Sequence, residues 1–168
     1  MDIERFNIRV YLLLFDEYGD SLLLSDEIVR GEYYTKFPGG GLEYGEGILD
    51  CLQREAREEF GQEVEVLRQF HVSETFQRST FAHEDQLVCI YYECRLPRDR
   101  NGRRRPRFRI AARPYDFVDF REREESFRWR RLDQIDADEL SLPLDRQALA
   151  RLLDERRQKH GPILSKVI

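Results

Sequence analysis

The chain is poor in the residues that build cross-linked, membrane-spanning or cysteine-metal architectures. Cysteine occurs three times in 168 residues. Cys51, Cys89 and Cys94 follow no metal-ligand spacing, and their odd number excludes a fully paired disulfide framework. Free thiols in a reducing compartment, the cytoplasm, are the expectation. No run of 18 apolar residues occurs, so no membrane-spanning helix is expected. The opening Met1-Asp2-Ile3-Glu4-Arg5 has no leader-peptide pattern. No repeat and no second domain can be read along the chain. The net charge of −5 leaves no positive excess for wholesale coating of nucleic acid.

What is present is charge and a core. Charged residues make up 36% of the chain and apolar ones 40%. A chain of this length buries a sizeable core beneath a densely charged surface. One domain is expected over 1–160, followed by a short tail over 161–168. Asn7 to Phe15 reads as a strand, Asp16 to Asp20 as a turn and Ser21 to Ser25 as a returning strand. Tyr33 to Phe37 reads as a short strand before Pro38 and three glycines. A helix follows over about Gly47 to Phe60, with Ile48, Leu49, Leu52, Ala56 and Phe60 as its apolar stripe. Gly61 suits the left-handed position that ends a helix. Val64 to Thr75 and Gln86 to Leu96 read as strands, the latter with Leu87 to Tyr92 buried on both faces. Phe127 and Trp129 alternate on a short strand ending near Leu132. Leu144, Ala148, Leu149, Leu152 and Leu153 give a final helix to about Arg157, with Pro143 near its start. Strands with one central and one terminal helix predict an α/β (α+β) fold, helices packed against a mixed sheet.

The most informative stretch is a glycine-rich turn opening into a helix that carries Glu55, Glu58 and Glu59. Those positions, i, i+3 and i+4, share one helix face. Three like charges there repel one another, and a hard divalent cation, Mg²⁺ or Mn²⁺, gives a reason for the spacing. The competing account is a solvated helix face paired with Arg54 and Arg57.

The whole segment from Gly40 to Gln62 resembles the Nudix box, G-x5-E-x7-R-E-U-x-E-E-x-G-U, where U is bulky and apolar. Gly40, Glu46, Arg54, Glu55, Glu58, Glu59 and Gly61 fill its fixed positions. Ala56 and Gln62 depart at two U positions, where packing rather than chemistry is touched. Phe37-Pro38-Gly39 and the Phe127-to-Trp129 strand also look like that family. The resemblance implies the Nudix fold, a mixed sheet between helices with the box as a loop-helix-loop. It implies hydrolysis of a nucleoside diphosphate linked to another group. It implies Mg²⁺ or Mn²⁺ on Glu55, Glu58 and Glu59, with the Gly40 carbonyl as a further ligand. By family habit it also implies a homodimer.

Physical reasoning agrees. A diphosphate and an acidic site repel until bound cations invert the sign of the site. Arg54 lies four residues before Glu58 and is expected to fix that carboxylate rather than touch substrate. Glu46 opens the helix, where negative charge is favoured. The general base is open between Glu125, Glu124, Glu84 and the box glutamates. Arg78, Glu84 and Arg109 are candidate substrate contacts, and Phe76, Phe81, Tyr91 and Tyr115 are candidates to stack on a base. The eight arginines from Arg98 to Arg113 read as a solvated loop with a turn at Asn101-Gly102; the sharper alternative is a phosphate or RNA clamp. Subfamily signals for ADP-ribose, diadenosine polyphosphates and coenzyme A are absent or incomplete. Two rivals therefore stand beside a small-molecule pyrophosphohydrolase: a nucleotide-sensing domain without turnover, and an RNA 5′-pyrophosphohydrolase.

Overall fold

The computed structural model describes residues 2–160; the expected tail over 161–168 lies outside them. Among the described residues seven strands and two α-helices are formed: β1 (Arg5–Phe15), β2 (Ser21–Val29), β3 (Glu32–Lys36), β4 (Gly39–Gly41), α1 (Ile48–Phe60), β5 (Glu65–Val72), β6 (Asp85–Arg95), β7 (Glu125–Arg131) and α2 (Pro143–His160), with a single 3-10 turn over Ala137–Glu139 before α2. All strands belong to one sheet of order β3-β2-β1-β6-β5, with β4 paired to β1 and β7 to β2. The β1–β6 pair is parallel and the others are antiparallel, so the sheet is mixed.

The period of two along β1 divides the core. Val10, Leu12 and Leu14 face α1, where they meet Leu52, Ala56 and Phe60. Tyr11, Leu13 and Phe15 face α2, where they meet Leu144, Ala148 and Leu149. The sheet is thus sandwiched between the two helices, as the sequence predicts.

One irregularity creates the site. β1 and β2 are in register only at Phe15 with Leu22, at the mouth of their hairpin. Beyond it they diverge, β1 towards β4 and β6, β2 towards β3 and β7. The chain crosses between the two halves at Phe37-Pro38, and Pro38 keeps that crossing tied to β1 through its carbonyl, which accepts from Leu12 N at 2.8 Å.

Several expectations are corrected. Leu49 is 53% exposed, and buried Cys51 takes its place in the apolar stripe. β2 continues past Ser25 to Val29, because the carboxylate of Asp26 is neutralised inside by Arg128 at 2.9 Å. β4 is a strand where the glycines read as a turn. β5 stops at Val72, and Leu87 and Val88 on β6 are only half-buried. The arginine-rich stretch is irregular, as expected, with Gly102 in the left-handed region at φ 75° and its N–H on Asp99 O at 2.9 Å.

Candidate active site

The three glycines run antiparallel to β1, with Gly41, Gly40 and Gly39 opposite Arg9, Val10 and Tyr11. Gly39 has φ 135°, and a Cβ there would overlap the Val10 carbonyl. Only glycine fits so close an approach. The segment delivers Gly40 against α1, where a Cβ would collide with the Glu55 carboxylate.

α1 starts at Gly47, whose N–H donates to Asp50 at 3.0 Å, and ends at Gly61 at φ 65°. Its apolar stripe fixes its rotation, which turns Glu55, Glu58 and Glu59 into the opening between the two halves of the sheet. Arg54 does more than the pairing with Glu58 expected from spacing. Its guanidinium donates to Glu46 at 2.7 and 3.0 Å, Gly41 O at 2.8 Å, Glu55 at 2.7 Å and Glu58 at 3.2 Å. It thereby ties the glycine segment to the helix and orients two of the three glutamates. Arg54 and the Glu43 N–H together hold the Glu46 carboxyl down to about 2. Glu46 therefore acts as the seat of Arg54 rather than only as a favourable charge at the helix start.

Glu59 is largely buried. Its carboxylate accepts from Gly39 N at 3.1 and 3.2 Å and faces the Lys36 ammonium at 3.4 Å. Lys36 also lies 3.1 Å from Glu125 and 3.6 Å from Glu27. Glu27 and Glu125 are directly opposed across β2 and β7, a like-charge pair that is unfavourable without a cation between. Burial raises the carboxyls of Glu59 and Glu125, and Lys36 opposes both shifts. Desolvation alone lowers Lys36, but the Glu59, Glu125 and Glu27 carboxylates outweigh it and hold the ammonium charged.

These groups line a cleft of about 790 Å³. The box contributes Glu55, Glu58 and Glu59 to its lining. Arg9 on β1 and Arg121 and Arg123, on a loop after Pro114, bring guanidinium groups to the same cleft, and that loop also brings Asp119 and Glu124. That loop is strained, with φ positive at Tyr115, Phe120 and Arg123. Glu124 holds it by accepting from Val118 N at 2.6 Å, Asp119 N at 3.1 Å and Arg121 N at 3.2 Å. Desolvation opposes, but those amides keep the Glu124 carboxyl low. A second pocket of about 150 Å³ adjoins the cleft through Arg9, Lys36 and Arg123 and is walled by Phe81, Thr80 and Leu142.

The fold brings Gly40, Glu55, Glu58, Glu59 and Glu125 together, with Arg54 behind them. It leaves the other candidates elsewhere. Glu84 pairs with Arg5 at 2.7 Å, Arg109 with Asp116 at 2.5 Å, and Arg78 donates to His83 O at 2.5 Å; none of the three lines the cleft. Phe76 is exposed and Tyr91 is buried in the core, so of the four aromatic candidates only Phe81 lines a pocket adjoining the cleft. Sequence reasoning missed Arg9, Lys36, Glu27, Arg121 and Arg123. Lys36 alone carried a signal, as a charged residue directly before Phe37-Pro38-Gly39.

The donor set fits a hard divalent cation. Glu55, Glu58 and Glu59 offer carboxylate oxygens beside the Gly40 backbone, and the missing Cβ of Gly40 makes room for that approach. The carboxylates are turned to protein cations and N–H groups, and among the described residues no three acidic, thiol or imidazole groups stand in metal-binding geometry.

A family model described as NUDIX domain matches residues 5–152. No curated protein matches the chain in sequence. Among solved structures it is similar to a MutT protein from Methanosarcina mazei Go1, at 19% identity and TM-score 0.63 over 92% of this chain and 97% of that one. A NUDIX hydrolase from Nitrosomonas europaea gives 19% identity and TM-score 0.62 over 89% of each chain. An ADP-ribose pyrophosphatase from Streptococcus suis 89-1591 gives 19% identity and TM-score 0.52 over 90% of this chain and 92% of that one. At such identities the likeness speaks for the fold.

Proposed function

The chain belongs to the NUDIX domain family, and from that premise we propose that it is a Mg²⁺- or Mn²⁺-dependent pyrophosphohydrolase cleaving the diphosphate linkage of a nucleoside diphosphate derivative. The observation that carries this reading is one cleft that gathers the box carboxylates Glu55, Glu58 and Glu59, suited to cations, with the guanidinium groups of Arg9, Arg121 and Arg123, suited to phosphate oxygens. Glu55, Glu58, Glu59 and the Gly40 carbonyl would hold the cation. When bound, a divalent cation there polarises a phosphoryl oxygen and makes an attacking water more acidic.

The remaining work falls to the chain's own side chains. Arg9, Arg121 and Arg123 face the substrate's phosphate oxygens, where a guanidinium fork matches the anion. Arg54 keeps Glu55 and Glu58 in place from behind. Of the carboxylates considered for the base, Glu84 is at a distant edge and Glu124 is engaged by backbone amides. With the box glutamates engaged by the cation, the base is assigned to Glu125, which lies inside the cleft and whose carboxyl burial raises, with Lys36 opposing. The adjoining pocket beside Phe81 is assigned to the group linked to the diphosphate. All three cysteines are free and buried, which fits a reducing compartment such as the cytoplasm. Among the described residues no helix is long and apolar enough to cross a membrane.

The test is release of phosphate or nucleotide from nucleoside triphosphates, nucleotide sugars, ADP-ribose, dinucleoside polyphosphates, coenzyme A and 5′-triphosphate RNA, with Mg²⁺, Mn²⁺ or chelator. Cleavage of one class that chelator abolishes supports the reading. Nucleotide binding without turnover of any class would replace it with the sensor. Glu58→Gln should keep the fold, since Glu58 is largely exposed, and lose turnover on the order of a hundredfold, the scale on which one electrostatic stabiliser acts. Near-normal activity of that variant with Mg²⁺ would remove the metal assignment.

A further inference from the structure

The three box glutamates are not equivalent in this chain. Glu55 gives one oxygen to Arg54 and so does Glu58, and neither second oxygen has a hydrogen-bond partner among the described residues. Glu59 has no such vacancy: one oxygen accepts from Gly39 N and faces Lys36, and the other also accepts from Gly39 N. Lys36 reaches this point from the end of β3, with only 8% of its side chain exposed. Its ammonium is surrounded by Glu59, Glu125 and Glu27 at 3.1 to 3.6 Å, from three different elements. Three carboxylate-bearing residues converging on one buried point require a cation there. Here the protein supplies the cation itself.

We infer that Lys36 is a built-in counter-ion that fills the cation position between Glu59 and Glu125. A divalent ion held by Glu55 and Glu58 would then reach Glu59 only through the oxygen that does not face Lys36, and Lys36 sets how many ions the cleft holds. The inference rests on the metal reading above. It follows from like-charge repulsion: an ammonium already between these carboxylates both satisfies them and repels a second cation brought beside it. Lys36 is therefore a positioning residue. It holds Glu59 and Glu125 in place and sets the ion count, without contacting the reacting phosphate.

The experiment is a Mn²⁺ titration of the full chain, read by the electron paramagnetic resonance signal of free Mn²⁺, with no substrate present. Lys36→Met removes the charge and keeps the length; Lys36→Arg keeps the charge. Lys36→Met should bind one more Mn²⁺ per chain than the wild type, and Lys36→Arg the same number as the wild type. Equal stoichiometry in Lys36→Met and wild type overturns the inference while leaving the metal reading intact. A wild type that binds no Mn²⁺ overturns the metal reading itself, and the inference with it. If Lys36→Met is unfolded without metal, its melting is followed with and without Mn²⁺. A folded state restored by Mn²⁺ and not by NaCl of equal ionic strength supports the inference; no restoration overturns it.

Discussion

Asp145 and Glu59 are two carboxylates, the first buried and the second largely so, that grip the same crossing from opposite faces of the sheet. Asp145, on α2, accepts from Phe37 N at 3.1 Å; Glu59, on α1, accepts from Gly39 N two residues later. Burial raises both. Their surroundings differ. Asp145 is 1% exposed, and its second partner is the Tyr91 hydroxyl at 2.7 Å, a neutral donor. Glu59 meets a cation and, through it, two more carboxylates, beside an open cleft. A buried acid among neutral donors is an anchor of the fold. The same group among further charges at the edge of solvent can exchange its partners, which chemistry needs.

The sharpest way to break this comparison is to place one methyl group at each of two neighbouring glycines. Gly39→Ala puts a Cβ onto the Val10 carbonyl and 2.8 Å from Tyr11 Cα, at a φ closed to alanine. Those are main-chain atoms of the central strand. Overpacking and backbone strain together should destabilise the protein by about 3 kcal/mol or more, read as a lowered urea midpoint. Gly40→Ala meets only the end of the flexible Glu55 side chain. Stability should change by less than about 1 kcal/mol, while Mn²⁺ affinity falls because Glu55 is pushed aside. Equal destabilisation of both variants would mean that fold and site are not separable at this turn.

Asp145→Asn tests the fold side alone. The Asp145 carboxyl is pushed by burial from its ordinary 3.8 to about 6. Between those values the unfolded chain releases its proton and the native chain keeps it. The contribution to stability is thus fully present below 3.8 and lost as pH rises through 6, a difference of about 3 kcal/mol. Asparagine does not titrate and can still accept from Phe37 N. The stability gap between wild type and variant should therefore be wider at pH 4 than at pH 7, by up to about 3 kcal/mol, in urea titrations at the two pH values. A gap that does not change with pH would show that burial does not hold this proton.

The pattern of legibility follows the same division. The box was readable because local spacing on one helix decides it: Arg54, Glu55, Glu58 and Glu59 are brought together by helical period alone. Both helices were readable for the same reason. The rest of the cleft lining was not. Lys36 is made a site residue by Glu27, Glu59 and Glu125, which are nine to eighty-nine positions away in sequence. Polar Asp26 and Glu27 hid the second half of β2, since their burial depends on Arg128 and Lys36 from other strands. Arg78, Glu84 and Arg109 were chosen for residue type, and the fold gives each a nearby partner outside the cleft.

Gln62 marks how far the division extends, and carries the smallest expected effect. It departs from the bulky apolar residue of the box pattern, yet it is buried. Its amide donates to Arg105 O at 3.1 Å and accepts from Arg107 N at 2.9 Å, much as a neighbouring strand would. The polar departure therefore has a structural reason: it pins the arginine-rich stretch, whose Phe108 packs on Phe60 with ring centres 4.8 Å apart. Gln62→Leu restores the pattern residue but leaves a carbonyl and an N–H without partners, at about 1–2 kcal/mol. Trypsin should cut faster at Arg103 and Arg107, which are exposed. Turnover should stay unchanged, because none of these residues lines the cleft. Unaltered trypsin kinetics would show that the stretch is held without Gln62, whereas a loss of turnover would mean that the arginine stretch reaches the chemistry after all.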